Sequence, residues 1–179
     1  MPIRIEKNMA YSATSPQELE YLHHFMGIAL QEAEKALQDD EVPIAAVLVA
    51  GQEIIAQNHN QTAHHNSNLA HAEMLVLEQA GQKIGRWRIR ETTLFVTLEP
   101  CCMCAGAMVL ARIAKVVYAL ADAKSGACGS IFNVPQEPRL NHQISIIGGI
   151  RSEESKVLLQ QFFACKRRKP KDRRIQYYW

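Results

Sequence analysis

Thr92-Thr93-Leu94-Phe95-Val96-Thr97-Leu98-Glu99-Pro100-Cys101-Cys102-Met103-Cys104 reads as a strand that hands the chain to the start of a helix. Thr92 to Leu98 alternates as a strand does. Pro100 suits a helix start, where its missing N–H costs nothing. Cys101 and Cys104 are three apart and share one face of the helix that follows, to about Arg112. Upstream, His71-Ala72-Glu73 opens another helical stretch, through Leu75, Val76 and Leu77 to about Gln82. Residues two apart diverge in mid-helix, but in a first turn both reach forward past the helix end. Two helix starts thus converge on one point.

The residue types at that point specify a chemistry. His71, Cys101 and Cys104 are ligands of the kind zinc takes. Three protein ligands leave the fourth tetrahedral position to water, which marks a catalytic zinc rather than a structural one. The positive end of a helix favours the thiolates that zinc requires. Glu73 stands beside the ligands, where a carboxylate relays the proton of the bound water to a leaving group. His-x-Glu followed by Pro-Cys-x-x-Cys matches the signature of the zinc deaminases of nucleobases. A zinc knuckle would need a fourth ligand, and a redox dithiol leaves His71 and Glu73 without a role.

Working outward, Ser15-Pro16-Gln17-Glu18 is a capping box with proline at the first helical position. It opens a helix to about Leu37, with Leu22, Phe25, Met26, Ala29, Leu30, Ala33 and Leu37 on its apolar face. Pro43 to Ala50 is an apolar run read as a buried strand. Gly51-Gln52 turns it into a second strand at Glu53 to Ala56, making a hairpin. Residues 57–69, rich in Asn and His, are a polar loop. Lys115 to Leu120 is a strand, Asp122 to Ser130 a loop of small residues, Gln143 to Ile147 a short strand and Ser152 to Arg168 a last helix. Strands alternating with helices predict an α/β layered sheet, whose active sites gather at strand ends.

With 179 residues and 47% hydrophobic content, the chain has the size and composition of one globular domain. Its five cysteines, two of them adjacent, do not form a disulfide framework, and residues 1–15 hold no apolar run. No membrane span is expected, and the expected compartment is cytoplasmic. The net charge of +2 is uneven: residues 166–174 carry seven of the 20 Lys and Arg, and the remainder is net −4. Phe162, Phe163, Tyr177, Tyr178 and Trp179 flank that basic run, a composition suited to single-stranded nucleic acid. Arg86-Trp87-Arg88 is read as a packed loop, and Cys102 and Cys128 as small packed residues.

From about Ser15 to Arg168 the chain resembles the bacterial tRNA-specific adenosine deaminases of the cytidine-deaminase-like superfamily. The matching stretches are Val42-Pro43-Ile44, Ala70-His71-Ala72-Glu73, Thr97 to Met108, and the loop Asp122 to Ser130, with Asn141-His142, Phe162-Phe163 and Arg167-Arg168 also fitting. The resemblance implies a three-layer α/β/α cytidine-deaminase-like fold, with a central mixed five-stranded sheet flanked by helices. It implies deamination of adenosine to inosine at the wobble position of a tRNA anticodon, with one Zn2+ per subunit. His71, Cys101 and Cys104 match the metal ligands and Glu73 the catalytic proton shuttle. Asn60 matches a base-binding residue and Asp122 a residue that contacts the anticodon stem-loop. A homodimer is the implied assembly. Ala45 and Cys128 depart from the family's usual Gly and Ala. The expected organisation is a flexible N-terminal extension (1–14), a deaminase domain (15–168) and a basic, aromatic C-terminal tail (169–179). Two rivals remain: a deaminase of free bases or nucleosides, and a non-catalytic RNA-binding subunit. The Asp122–Ser130 loop and basic tail argue against the first, and Glu73 against the second.

Overall fold

The computed structural model describes residues 15–168; the N-terminal extension and the tail from 169 onward lie outside the described residues. Five strands form one mixed sheet: β1 (Ala45–Ala50), β2 (Glu53–His59), β3 (Thr92–Leu98), β4 (Lys115–Leu120) and β5 (Ser145–Gly148). The spatial order is β2-β1-β3-β4-β5. β1 pairs antiparallel with β2 and β3, whereas β3–β4 and β4–β5 are parallel. The helices are α1 (Pro16–Gln38), the short α2 (Thr62–His65), α3 (Ala72–Ile84), α4 (Cys102–Ala111) and α5 (Ser152–Arg168).

Period-two alternation divides the strands between two cores. Val47 and Val49 of β1, Phe95 of β3, and Val117 and Ala119 of β4 pack with Leu22, Phe25, Met26 and Ala29 of α1. Ala46, Leu48, Leu94, Val96 and Val116 point the other way, onto Val76 and Ala80 of α3 and Ala105, Met108 and Val109 of α4. The result is the expected three layers: α1 and α5, the sheet, then α3 and α4. The parallel β3–β4 pair requires α4 as its crossover, so β3 delivers the chain to α4 at the sheet's carboxyl edge.

Ser15 caps α1 by accepting from the Glu18 N–H at 3.1 Å, with Pro16 at the first helical position, as the sequence predicts. Several details differ, beginning with strand bounds: β1 starts at Ala45 rather than Pro43, and β5 is Ser145–Gly148 rather than Gln143–Ile147. β2 extends to His59, and Thr62–His65 is a helical turn inside the stretch read as loop. Leu37 is only half-buried, whereas Glu32 is buried on the same helix. Val134–Gln136 adds a short 3-10 turn. Glu32 is tolerated because it accepts from Lys35 Nζ at 2.6 Å and Gln57 Nε2 at 3.1 Å and pairs with His59 Nδ1 at 2.9 Å.

Burial pushes the Glu32 carboxyl up, but the hydrogen bonds from Lys35 and His59 outweigh it and hold the group below the usual carboxylate range. A carboxylate depressed in the folded state adds stability above its unfolded pKa and loses it as the pH falls through the folded one. The thermal-stability gap between wild type and Glu32→Gln is therefore expected to be widest at neutral pH and to close in acid. Melting curves across that range check this, and a gap that widens in acid would reverse the assignment.

Candidate metal centre and active site

The first turns of α3 and α4 meet at the sheet edge. His71 is the N-cap of α3 and Cys101 the N-cap of α4, both with extended backbone. An N-cap side chain ordinarily accepts from a backbone N–H of the first turn. Neither of these does so; they turn toward each other instead. His71 Nδ1 lies 3.7 Å from Cys101 Sγ and 3.6 Å from Cys104 Sγ, and the two sulfurs are 3.7 Å apart. Among the described residues this is the group of His, Cys, Asp or Glu side chains whose ligand atoms cluster closely enough to hold a metal ion. Pro100 precedes the N-cap, two positions before the first helical residue, Cys102, rather than standing at the helix start.

The electrostatics suit a cation. The Cys101 thiol is held down to about 4, first by the hydrogen bond with Cys104 and then by His71. The Cys104 thiol is pushed up, first by its bond to the Cys101 sulfur and then by burial. Hydrogen bonding to Cys101 raises His71. One thiolate beside one retained thiol and an imidazole is the charge pattern that a divalent ion completes, displacing the remaining protons.

Glu73, at the second position of α3, is only 4% exposed. Burial pushes its carboxyl upward, and it lies within electrostatic reach of His71, Cys101 and Cys104. It is not one of the three clustered ligands. Burial thus favours its protonated form beside the three clustered side chains.

Asn60 and Asp122 are carried to the same edge but make no hydrogen bond to the cluster. Asn60 is 5% exposed at the end of β2. The next residue, Gln61, donates its N–H to the carbonyl of Ala70, next to His71, at 3.0 Å. The Asn60 amide nitrogen donates to Glu41 Oε2 at 2.9 Å and Thr62 Oγ1 at 3.0 Å. Its carbonyl oxygen accepts no bond among the described residues. Asp122 heads the loop after β4, which is fastened to α4 by the Ala127 N–H to Pro100 O bond at 2.8 Å and a bridge between Cys101 and Gly126. Its carboxylate serves that loop, accepting from Lys124 N–H at 2.9 Å and from the Ser125 hydroxyl.

Two buried carboxylates besides Glu32 escaped the sequence reading. Glu41, 2% exposed, anchors Asn60 and accepts the His64 N–H at 2.7 Å. Glu99, 3% exposed, binds the loop that Asp122 begins. No residue pattern signals either one, because their partners lie about 20 to 30 positions away. Three other readings are corrected. Trp87 is not packed: it is 63% exposed, with Arg88 stacked 4.3 Å over its ring. Cys102 is exposed, while Cys128 is buried as expected. His59, read as a loop residue, lies in β2, paired with Glu32 and Asp39.

Comparison with known proteins places this geometry in a family. The MafB19-like deaminase family matches residues 22–167. The tRNA-specific adenosine deaminase of Bacillus subtilis (strain 168) is 48% identical over 147 residues, covering 82% of this chain and 91% of that protein. That of Streptococcus pyogenes serotype M18 is 41% identical over 157 residues, 88% of this chain and 99% of the other. A solved structure from work on A-to-I editing by tRNA:A34 deaminases at the wobble position of transfer RNA superposes with a TM-score of 0.73 at 41% identity, over 76% of this chain and 99% of that one. The guanine deaminase of Nitrosomonas europaea, at 22% identity and a TM-score of 0.70 over 88% of this chain and 98% of that one, shares the fold. Identity of this order over most of both lengths makes the chain a member of the family of tRNA-specific adenosine deaminases.

Proposed function

We propose that this chain is a zinc-dependent hydrolase that converts adenosine to inosine at the wobble position of a tRNA anticodon. The observation that carries the reading is the burial of Glu73 beside the His71, Cys101 and Cys104 cluster.

The donor set and its dimensions support zinc. Tetrahedral bonds of about 2.3 Å to sulfur and about 2.0–2.1 Å to nitrogen set the sulfurs about 3.8 Å apart and each sulfur about 3.6 Å from the nitrogen. The observed separations are 3.7 Å between sulfurs and 3.6–3.7 Å from sulfur to nitrogen. When bound, zinc supplies the Lewis acidity that makes water a nucleophile near neutral pH. Glu73 takes the proton of the attacking water and passes it to N1 of adenine as the carbon–oxygen bond forms at C6. It then takes the proton of the new C6 hydroxyl and gives it to the C6 amine; the C6–N bond breaks, ammonia leaves and the C6 carbonyl of inosine forms. The Asn60 carbonyl oxygen faces the base as an acceptor, held by Glu41 and Thr62 from behind. Asp122 and its loop contact the anticodon backbone. The base must leave its stack, which costs least in an open loop such as an anticodon.

The same reading proposes a cytoplasmic homodimer. Leu110 on α4, 68% exposed, and Ile131 and Phe132 in the loop after β4 are exposed apolar side chains for such an interface to cover. Among the described residues no helix is long and apolar enough to cross a membrane.

The test is inosine formation in an anticodon stem-loop incubated with purified protein, beside free adenosine, cytidine and guanine. Conversion of the stem-loop alone is expected. Turnover of a free base or nucleoside in its place would keep the chemistry and discard the RNA substrate.

A further inference from the structure

Glu99 stands two residues before Cys101 and has no part in the chemistry above, yet its carboxyl group accepts four hydrogen bonds from a single loop. Oε1 receives the Cys128 N–H at 2.9 Å and the Ser130 N–H at 3.0 Å. Oε2 receives the Asp122 N–H at 2.9 Å and the Ser130 hydroxyl. Backbone N–H groups that converge in this way form a nest for an anion. Here the anion is the protein's own, supplied from the strand end that leads into α4.

The loop is shaped to admit that side chain. A Cβ on Gly126 would lie 2.4 Å from both Cδ and Oε2 of Glu99 and 2.6 Å from the Asp122 carbonyl oxygen. Only a residue without a side chain fits there. Glu99 therefore sits at the centre of the loop as a template, touching its first residue, Asp122, and its last, Ser130. Among the described residues, the side-chain hydrogen bonds of Glu99 all go to this loop and none to His71, Cys101 or Cys104.

We propose that Glu99 is a positioning residue for RNA: it fixes the Asp122–Ser130 loop against the start of α4, so that the loop meets the substrate already in its binding shape. The proposal rests on the reading of Asp122 as an RNA contact. Glutamine cannot replace Glu99. Its one carbonyl oxygen can still accept from Cys128 and Ser130, and the Ser130 hydroxyl can reverse to accept. Its amide NH2 then faces the Asp122 N–H, donor against donor, so the residue set loose is Asp122.

The test compares wild type, Glu99→Gln and Gly126→Ala on an anticodon stem-loop, with metal content and melting temperature measured on each. The two substitutions disturb the same contact from opposite sides. Both are expected to raise KM by about tenfold or more, since a charged acceptor is lost or displaced. The metal should stay at one ion per chain and kcat within about twofold. A general loss of structure would instead lower the active fraction, and so kcat, at unchanged KM. Wild-type KM in both variants, or loss of metal or kcat at constant KM, overturns the proposal. If the wild type itself makes no inosine, the proposed function falls. Anisotropy of a fluorescein-labelled stem-loop then decides the role of Glu99: weaker binding by both variants at full metal content supports it, and equal binding refutes it.

Discussion

Glu73→Gln is expected to lower deamination by about 10²–10⁴-fold, the range of a lost general acid–base, while the protein keeps one metal ion per chain. Glutamine fills nearly the same volume at a position 4% exposed, so no cavity opens. A neutral amide is also less costly to bury than a carboxylate, and the melting temperature should hold. Alanine is expected to lose activity to the same extent but to add a packing defect. The measurements are inosine yield, metal content by emission spectrometry and a thermal melt. Near-normal turnover with the metal in place would remove Glu73 from the proton path. Loss of metal together with activity would make it a ligand.

Stripping the metal with a chelator is expected to abolish turnover and to change which cysteine reacts. With its pKa about 4, Cys101 is a thiolate at pH 5, where an ordinary thiol of pKa about 8.5 is almost wholly protonated. Low-pKa thiolates are also weaker nucleophiles, by a factor of about 100 across this interval. The two effects leave Cys101 ahead at pH 5 by roughly tenfold or more, and the advantage is gone by pH 7. The exposed Cys102 and Cys165 serve as internal references. Alkylation by iodoacetamide, read peptide by peptide, should show Cys101 labelled first at pH 5 and protected when zinc is restored. Equal labelling of all three at pH 5 would mean that the Cys101 thiol is not held down, and labelling unaffected by zinc would mean that these sulfurs do not hold the ion. The folded chain should also melt at a lower temperature without its metal, because the ion binds only the folded state.

How far such a site is legible depends on the range of the interactions that build it. Lys115–Leu120 was legible as a run of strand formers, and the start of the last helix at Ser152 followed from the Gly148-Gly149 break before it. The clustering of His71, Cys101 and Cys104 was legible because metal chemistry restricts both residue type and spacing. Glu41 and Glu99 were not. A buried glutamate looks like any surface glutamate until its partners are known, and those partners are mostly backbone N–H groups, which have no sequence signature. Thr62–His65 was missed because a single polar turn has no apolar face to give it a period. Trp87 was misjudged by averages: aromatic residues are usually packed, and this one stacks with Arg88 in solvent.

The two helix starts at the metal also limit how this protein can be made more robust. Serine or aspartate at position 71 or 101 would be the usual improvement to a helix end, worth about 1 kcal/mol each. At both places that improvement would remove a side chain from the candidate metal cluster. A stabilisation screen that scores folding alone would therefore be drawn toward these positions and return well-folded, inactive chains. Thermostable variants that keep activity should carry their changes elsewhere, on α1 or the outer faces of the sheet layers, with His71 and Cys101 left as poor caps.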